Sequence, residues 1–179
     1  MSAAENAAPS AGSPFWRFSL GFYRQPGVAD ACIALQEEAG VDVNLLLFLL
    51  WQATRKRASA RAEVETLERR AGPWRKMTVV PLRGVRRALK SPPALVDATA
   101  AEAFRTRIKA IELEAERLQQ EAMYELARQS PLGALATTPE AAARASIAAY
   151  EAICAKSFSA PAVETLLAAF ARLEPKTED

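Results

Sequence analysis

The amino-acid sequence predicts an all-α protein, a single-domain helical bundle of about seven or eight helices around one central buried helix at about residues 42–56. Three observations carry this. Apolar residues recur at intervals of three and four along most of the chain, the repeat of a helix with one buried face, and the only tempting β-branched pair, Val79-Val80, is too short for a strand. Between Gly40 and Trp51 the run Leu-Leu-Leu-Phe-Leu-Leu-Trp is apolar on every side of a helix, so other helices must surround it. A chain of 179 residues, half of them hydrophobic and a quarter charged, is long enough to bury a core of that kind in one domain.

Residues 1–12 have neither a basic start nor a continuous apolar stretch, and read as a disordered tail and not a signal peptide. The domain is expected over 13–173, with a second disordered tail at 174–179. Ser13-Pro14 starts the first helix, the hydroxyl capping and the proline losing nothing at the first helical position. Phe15, Phe18 and Phe22 form one stripe of it and Trp16, Leu20 and Tyr23 another, so it is expected to be wedged between neighbours. Gln25-Pro26-Gly27 breaks it and Pro26 can open the next helix, with Val28, Cys32, Leu35 and Ala39 inward and Gly40 ending it. Asp42 is placed to cap the central helix, and Asn44 either satisfies backbone groups there or crosses to a neighbouring helix.

From Ala60 a surface helix buries Val64, Leu67 and Ala71 and is expected to stop at Gly72-Pro73. Trp74 to Lys90 follows, kinked or broken at Pro81. Beyond Pro81, Leu82, Val85 and Leu89 form the expected buried stripe, while Arg83, Arg86, Arg87 and Lys90 fall at i, i+3, i+4 and i+7 as a purely basic one. A proline-containing connector at 91–96 divides this 13–90 part from an alanine-rich helical part at 97–173. There a long helix is expected at about 98–129, with Thr99 and Glu102 spaced as a capping box. Phe104, Ile108, Ile111, Ala115, Leu118 and Ala122 make a coiled-coil-like seam on it. Thr138-Pro139 starts the next helix, burying Ala143, Ile147, Tyr150 and Cys154, and Ser159 caps a last one carrying Val163, Leu166, Leu167, Phe170 and Leu173.

Histidine is absent, which excludes His-based acid/base chemistry, Ser-His-Asp and Cys-His nucleophiles and the Glu-x-x-His metal signature. No catalytic residue, metal site or cofactor is therefore expected, and the protein is read as a non-enzyme. Cys32 and Cys154 both fall on apolar stripes, so buried free thiols are expected, a disulfide being the alternative, and a reducing cytoplasm fits. The Leu45–Trp51 run is far short of the roughly 20 apolar residues that a membrane span needs.

The charge is unevenly spread: from Arg55 to Lys90 there are twelve basic residues against three acidic ones, within a chain whose formal net charge is only +2. The candidate binding surface is accordingly the basic stripe Arg83, Arg86, Arg87 and Lys90, with Arg75 and Lys76. The same stripe also reads as a solvated face, or as the partner of the Glu-rich long helix that carries Glu112, Glu114, Glu116 and Glu121. A candidate aromatic and polar pocket comprises Trp16, Tyr23, Asn44 and Trp51.

The stretches Trp16-Arg17-Phe18-Ser19-Leu20 with Tyr23, Pro26-Gly27-Val28, Ala31-Cys32, Leu35-Gln36, Gly40, Asp42-Val43-Asn44-Leu45-Leu46-Leu47-Phe48 and Trp51 resemble a family of uncharacterised proteobacterial proteins, domain-of-unknown-function family 2390. Weaker echoes lie in Trp74, in Val80-Pro81-Leu82-Arg83 and in Arg86-Arg87, so the resemblance covers about residues 15–90. It implies a helical bacterial domain and brings no activity and no catalytic residues with it. The function expected from the residues themselves is that of a non-enzymatic interaction or adaptor protein presenting the basic helix face to an acidic protein surface. Binding of an RNA or DNA backbone through the same face, binding of a small apolar ligand and association with a membrane surface are the alternatives, and the seam on the long helix permits a homodimer.

Overall fold

The computed structural model describes residues 12–173, so the expected tails at 1–12 and 174–179 lie outside the described residues except for Gly12. The chain is all-α, with eight helices among the described residues: α1 (Pro14–Tyr23), α2 (Val28–Ala39), α3 (Val43–Ala53), α4 (Arg61–Trp74), α5 (Val80–Ala88), α6 (Ala98–Gln129), α7 (Pro139–Glu151) and α8 (Ala160–Ala171).

Every residue of α3 from Asn44 to Ala53 is buried, because α1 and α6 cover one side, α7 another, and α2 and α4 close the gaps. Around it, Phe15 packs edge-on against Phe48 with ring centroids 5.2 Å apart, and Trp51 lies 5.5 Å from Tyr124 of α6. The caps agree with the local chemistry. Ser13 Oγ accepts from Trp16 N–H, Asp42 Oδ1 from Asn44 N–H and Thr138 Oγ1 from Ala141 N–H, each satisfying a donor that the helix leaves free. Gly40, at φ 72°, ends α2 in the left-handed conformation that a side chain resists.

Several expectations are corrected. The central helix ends at Ala53 and not near 56, because the chain turns through Thr54 to Lys56 and Arg57-Ala58 then pairs antiparallel with Ala134-Leu135. That two-residue ladder is strand structure that the pattern of side chains did not show. Helix α2 opens at Val28 with Gly27 as its cap, one residue beyond Pro26. The long helix is capped by Asp97, whose carboxylate accepts from Ala100 N–H, while Glu102 pairs with Arg105, so Thr99 and Glu102 form no capping box. Ser159 precedes α8 but its hydroxyl caps nothing. Cys154 lies beyond the end of α7 and is half-buried; Cys32 is fully buried, and both thiols are free. Burial pushes the Cys32 thiol up to about 12.

The largest correction concerns α4 and α5. Neither Gly72-Pro73 nor Pro81 stops the helix: α4 runs through Pro73 into a π-helical turn, Arg75–Val79, which leads directly into α5. Pro81 has no N–H to give and its ring crowds the carbonyl four residues back, and the wider turn just before it relieves that conflict. Val80 N–H reaches back five residues to Arg75 O, and the Thr78 hydroxyl donates to Trp74 O at 2.7 Å.

A π turn takes up about one residue more than an α turn and so rotates everything after it. In unbroken α phase, Val64, Leu67 and Ala71 would be continued by Leu82, Val85 and Leu89. Instead Val79 is buried, Val85 is 44% exposed, and no residue of α5 is fully buried. Leu82 and Leu89 are half-buried, and Arg83 and Arg86 share the inward side with them, against Glu112 and Glu116 of α6. Val79→Ala is accordingly expected to cost on the order of 2 kcal/mol in urea unfolding and Val85→Ala under about 0.5 kcal/mol, opposite to what unbroken α phase demands.

Candidate functional site: a basic-rimmed groove

The basic stripe of α5 forms one wall of a groove of about 810 Å³. The opposite wall is the second aromatic stripe of α1, with Trp16, Leu20 and Tyr23. Ile33 of α2, Val43 and Leu47 from the start of α3, and Leu113 of α6 complete an apolar floor and side, and Asn44 also lines the groove. Tyr23, Ile33 and Leu113 are among the exposed large apolar side chains of the molecule, and all three converge here. The two candidate sites read from the sequence are therefore largely one place: Trp16, Tyr23 and Asn44 face Arg83, Arg86, Arg87 and Lys90 across it.

Three of the candidate residues are elsewhere. Trp51 lies two turns beyond Asn44, enclosed by Phe15, Phe48 and Tyr124, with the Arg55 guanidinium 4.4 Å over its ring. Lys76 is exposed on the π turn, outside the groove. Arg75 points into the protein, where its guanidinium donates to Asp42 Oδ2 at 2.7 Å and to both carboxylate oxygens of Glu68.

The groove lining holds six basic side chains (Arg24, Arg83, Arg86, Arg87, Lys90, Lys109) against three acidic ones (Glu37, Glu112, Glu116). The stripe is partly neutralised. Arg83 donates to Glu112 at 3.2 Å and to Glu116 at 3.0 Å, Arg86 pairs with Glu112, and Arg87 makes an exposed pair with Glu37. Arg24, Lys90 and Lys109 have no ion-pair partner among the described residues. Burial pushes the Glu116 carboxyl above the usual carboxylate range, with the Arg83 charge pulling the other way. Burial likewise raises Tyr23, which keeps its phenol protonated and able to donate.

Beneath the apolar floor is a polar layer that joins α3 to α6. Gln120 Nε2 donates to Asn44 Oδ1 at 2.8 Å, Asn44 Nδ2 to Gln119 Oε1 at 3.4 Å, and Gln119 Nε2 to Asp42 Oδ2 at 2.6 Å. Ser19 and Gln120 both line the groove, and each leaves one buried polar atom, Ser19 Oγ and Gln120 Oε1, without a hydrogen-bond partner among the described residues. Sequence reasoning missed Ser19, Gln119, Gln120, Glu68 and the groove residues Arg24 and Lys109. The one available signal was Gln119-Gln120, two amides next to the apolar seam of a helix whose other polar residues are mostly charged.

No group of three or more His, Cys, Asp or Glu residues among the described residues is placed to hold a metal ion. None of the described helices is long and apolar enough to cross a membrane.

A family model, described as "Protein of unknown function (DUF2390)", matches residues 14–123. The chain belongs to this family. No curated protein and no solved structure matches it. The DUF2390 segment takes in every groove residue from Trp16 to Gln120 and ends within α6. It thus reaches beyond the 15–90 span legible from individual residues. Helices α7 and α8 lie outside the segment and brace it from behind, α7 against α3 and α8 against α2.

Proposed function

We propose that this DUF2390 chain is a non-enzymatic interaction protein whose groove receives an acidic, amphipathic segment of a partner protein. The observation that supports this reading is the meeting, in one groove, of an apolar floor and cations without an ion-pair partner among the described residues. Apolar side chains of a bound segment would cover Trp16, Leu20, Tyr23, Ile33, Leu47 and Leu113, and its carboxylates would meet Arg24, Lys90 and Lys109 on the rim. The protein works in the cytoplasm on this reading, where two free thiols stay reduced.

A phosphate backbone fits the groove less well, because Glu37, Glu112 and Glu116 share its lining and half of its six cations are already engaged by them. A small, purely apolar ligand would leave the rim charges without a role.

Titration calorimetry with a synthetic helical peptide of leucine and glutamate, against a matched leucine–lysine peptide, tests the reading. Only the acidic peptide is expected to bind, and the double reversal Lys90→Glu with Lys109→Glu is expected to weaken it at least tenfold, about 1.4 kcal/mol. Equal affinity in the wild type and the double reversal would overturn the proposal. Binding of single-stranded RNA with a steep salt dependence, and none of peptide, would replace it with the backbone reading.

A further inference from the structure

We propose that α6 carries a second interface, on its edge away from the groove, which takes another copy of this chain in antiparallel register about Ile111. Phe104, Ile111 and Leu118 recur every seven residues and are 43%, 48% and 47% exposed. Seven residues is almost two helical turns, so the three make one apolar line about 21 Å long from first to last. The groove residues of the same helix, Lys109, Glu112, Leu113, Glu116 and Gln120, lie on its other side, with the buried face of Ile108, Ala115 and Gln119 between. The line is thus what remains of the coiled-coil-like seam after the domain has buried Ile108 and Ala115 of it. The Trp74 indole, which donates to Ala115 O at 2.9 Å, packs beside the seam.

Charge decides the occupant and its direction. Arg107 and Glu114 flank the line on the same side, three residues after Phe104 and Ile111, and neither has an ion-pair partner among the described residues. Arg107 only covers the Phe104 ring, 5.4 Å from its centroid. A two-fold axis at Ile111, perpendicular to the helix, sets Ile111 on its own copy, Phe104 near Leu118 of the other copy and Arg107 near Glu114 of the other copy, twice over. A parallel pairing would instead carry the two copies of this flank to opposite edges of the seam, so that Arg107 of one copy could not meet Glu114 of the other. The alanines at 103 and 110 on this flank leave room for the two helices to approach.

Sedimentation of the full chain under reducing conditions, from about 1 to 200 µM, tests this independently of any groove ligand. The wild type is expected to pass to twice its 19.4 kDa mass with rising concentration. Ile111→Glu is expected to remain at one chain throughout, with far-UV circular dichroism unchanged because the residue is exposed. Glu114→Arg is expected to weaken the dimer about tenfold, and the exchange Arg107→Glu with Glu114→Arg to restore it. A wild type that stays monomeric to 200 µM, or a dimer that Ile111→Glu leaves intact, would overturn the interface. Loss with Ile111→Glu but no response to the charge changes would overturn the antiparallel register.

Discussion

Arg75→Met is expected to destabilise the protein by about 3–5 kcal/mol, because it strands the Asp42 carboxylate in the core without its cation. Asp42 is 4% exposed and its carboxylate accepts from Asn44 N–H, from Gln119 and from Arg75, while its own N–H donates to the Tyr150 hydroxyl at 2.8 Å. Burial, reinforced by the Asp42 charge, pushes the Tyr150 phenol above its ordinary range, so the hydroxyl stays protonated. Through these bonds one residue ties the start of α3 to the π turn and α6 by its carboxylate and to α7 by its backbone N–H. Urea unfolding followed by circular dichroism gives the comparison. Pairing Arg75→Met with Asp42→Asn should cost clearly less than the sum of the two single changes, since the second removes the charge that the first left unpaired. A loss below about 1 kcal/mol for Arg75→Met would show that water or a neighbour compensates the carboxylate, and the pair would then not organise the core.

Phe48→Ala is the second large effect, with an expected loss of about 3–5 kcal/mol. Phe48 is fully buried, and its ring touches Phe15 edge-on and lies 5.7 Å from that of Trp51, so the cavity opens where α1 and α3 meet and rigid neighbours cannot collapse into it. Phe48→Leu should recover more than half of the loss. Because α1 supplies one wall of the groove, binding of the acidic peptide should fall with Phe48→Ala even under conditions where the protein remains folded. Unchanged peptide affinity at full folding would separate the core from the groove.

Local rules read much of this molecule correctly. Ser13 and Asp42 are caps in sequence and in structure because a cap needs only a side-chain oxygen and the next turn of backbone. The long helix appears at Ala98–Gln129, where its periodicity set it. Asn44 crosses to α6, one of the two roles open to a polar residue in the first turn of a buried helix. The groove was legible only as two unrelated halves. Trp16 and Tyr23 are more than sixty residues from Arg86 and Arg87, and nothing local states that the second face of α1 stays uncovered while the basic face of α5 turns toward it.

The sequence by itself determined most of the helices, the caps at Ser13 and Asp42, the buried helix at the centre and the basic character of one wall. Only the tertiary structure decided which way that wall faces, through a single extra residue in the π turn before Pro81. A helical repeat read along the chain assumes constant phase, and one residue of slip rotates all that follows by about 100°. That slip brought Val85 to the surface and left Leu82 and Leu89 only half-buried, set Arg83 and Arg86 on Glu112 and Glu116, and placed the basic stripe on the rim of a groove.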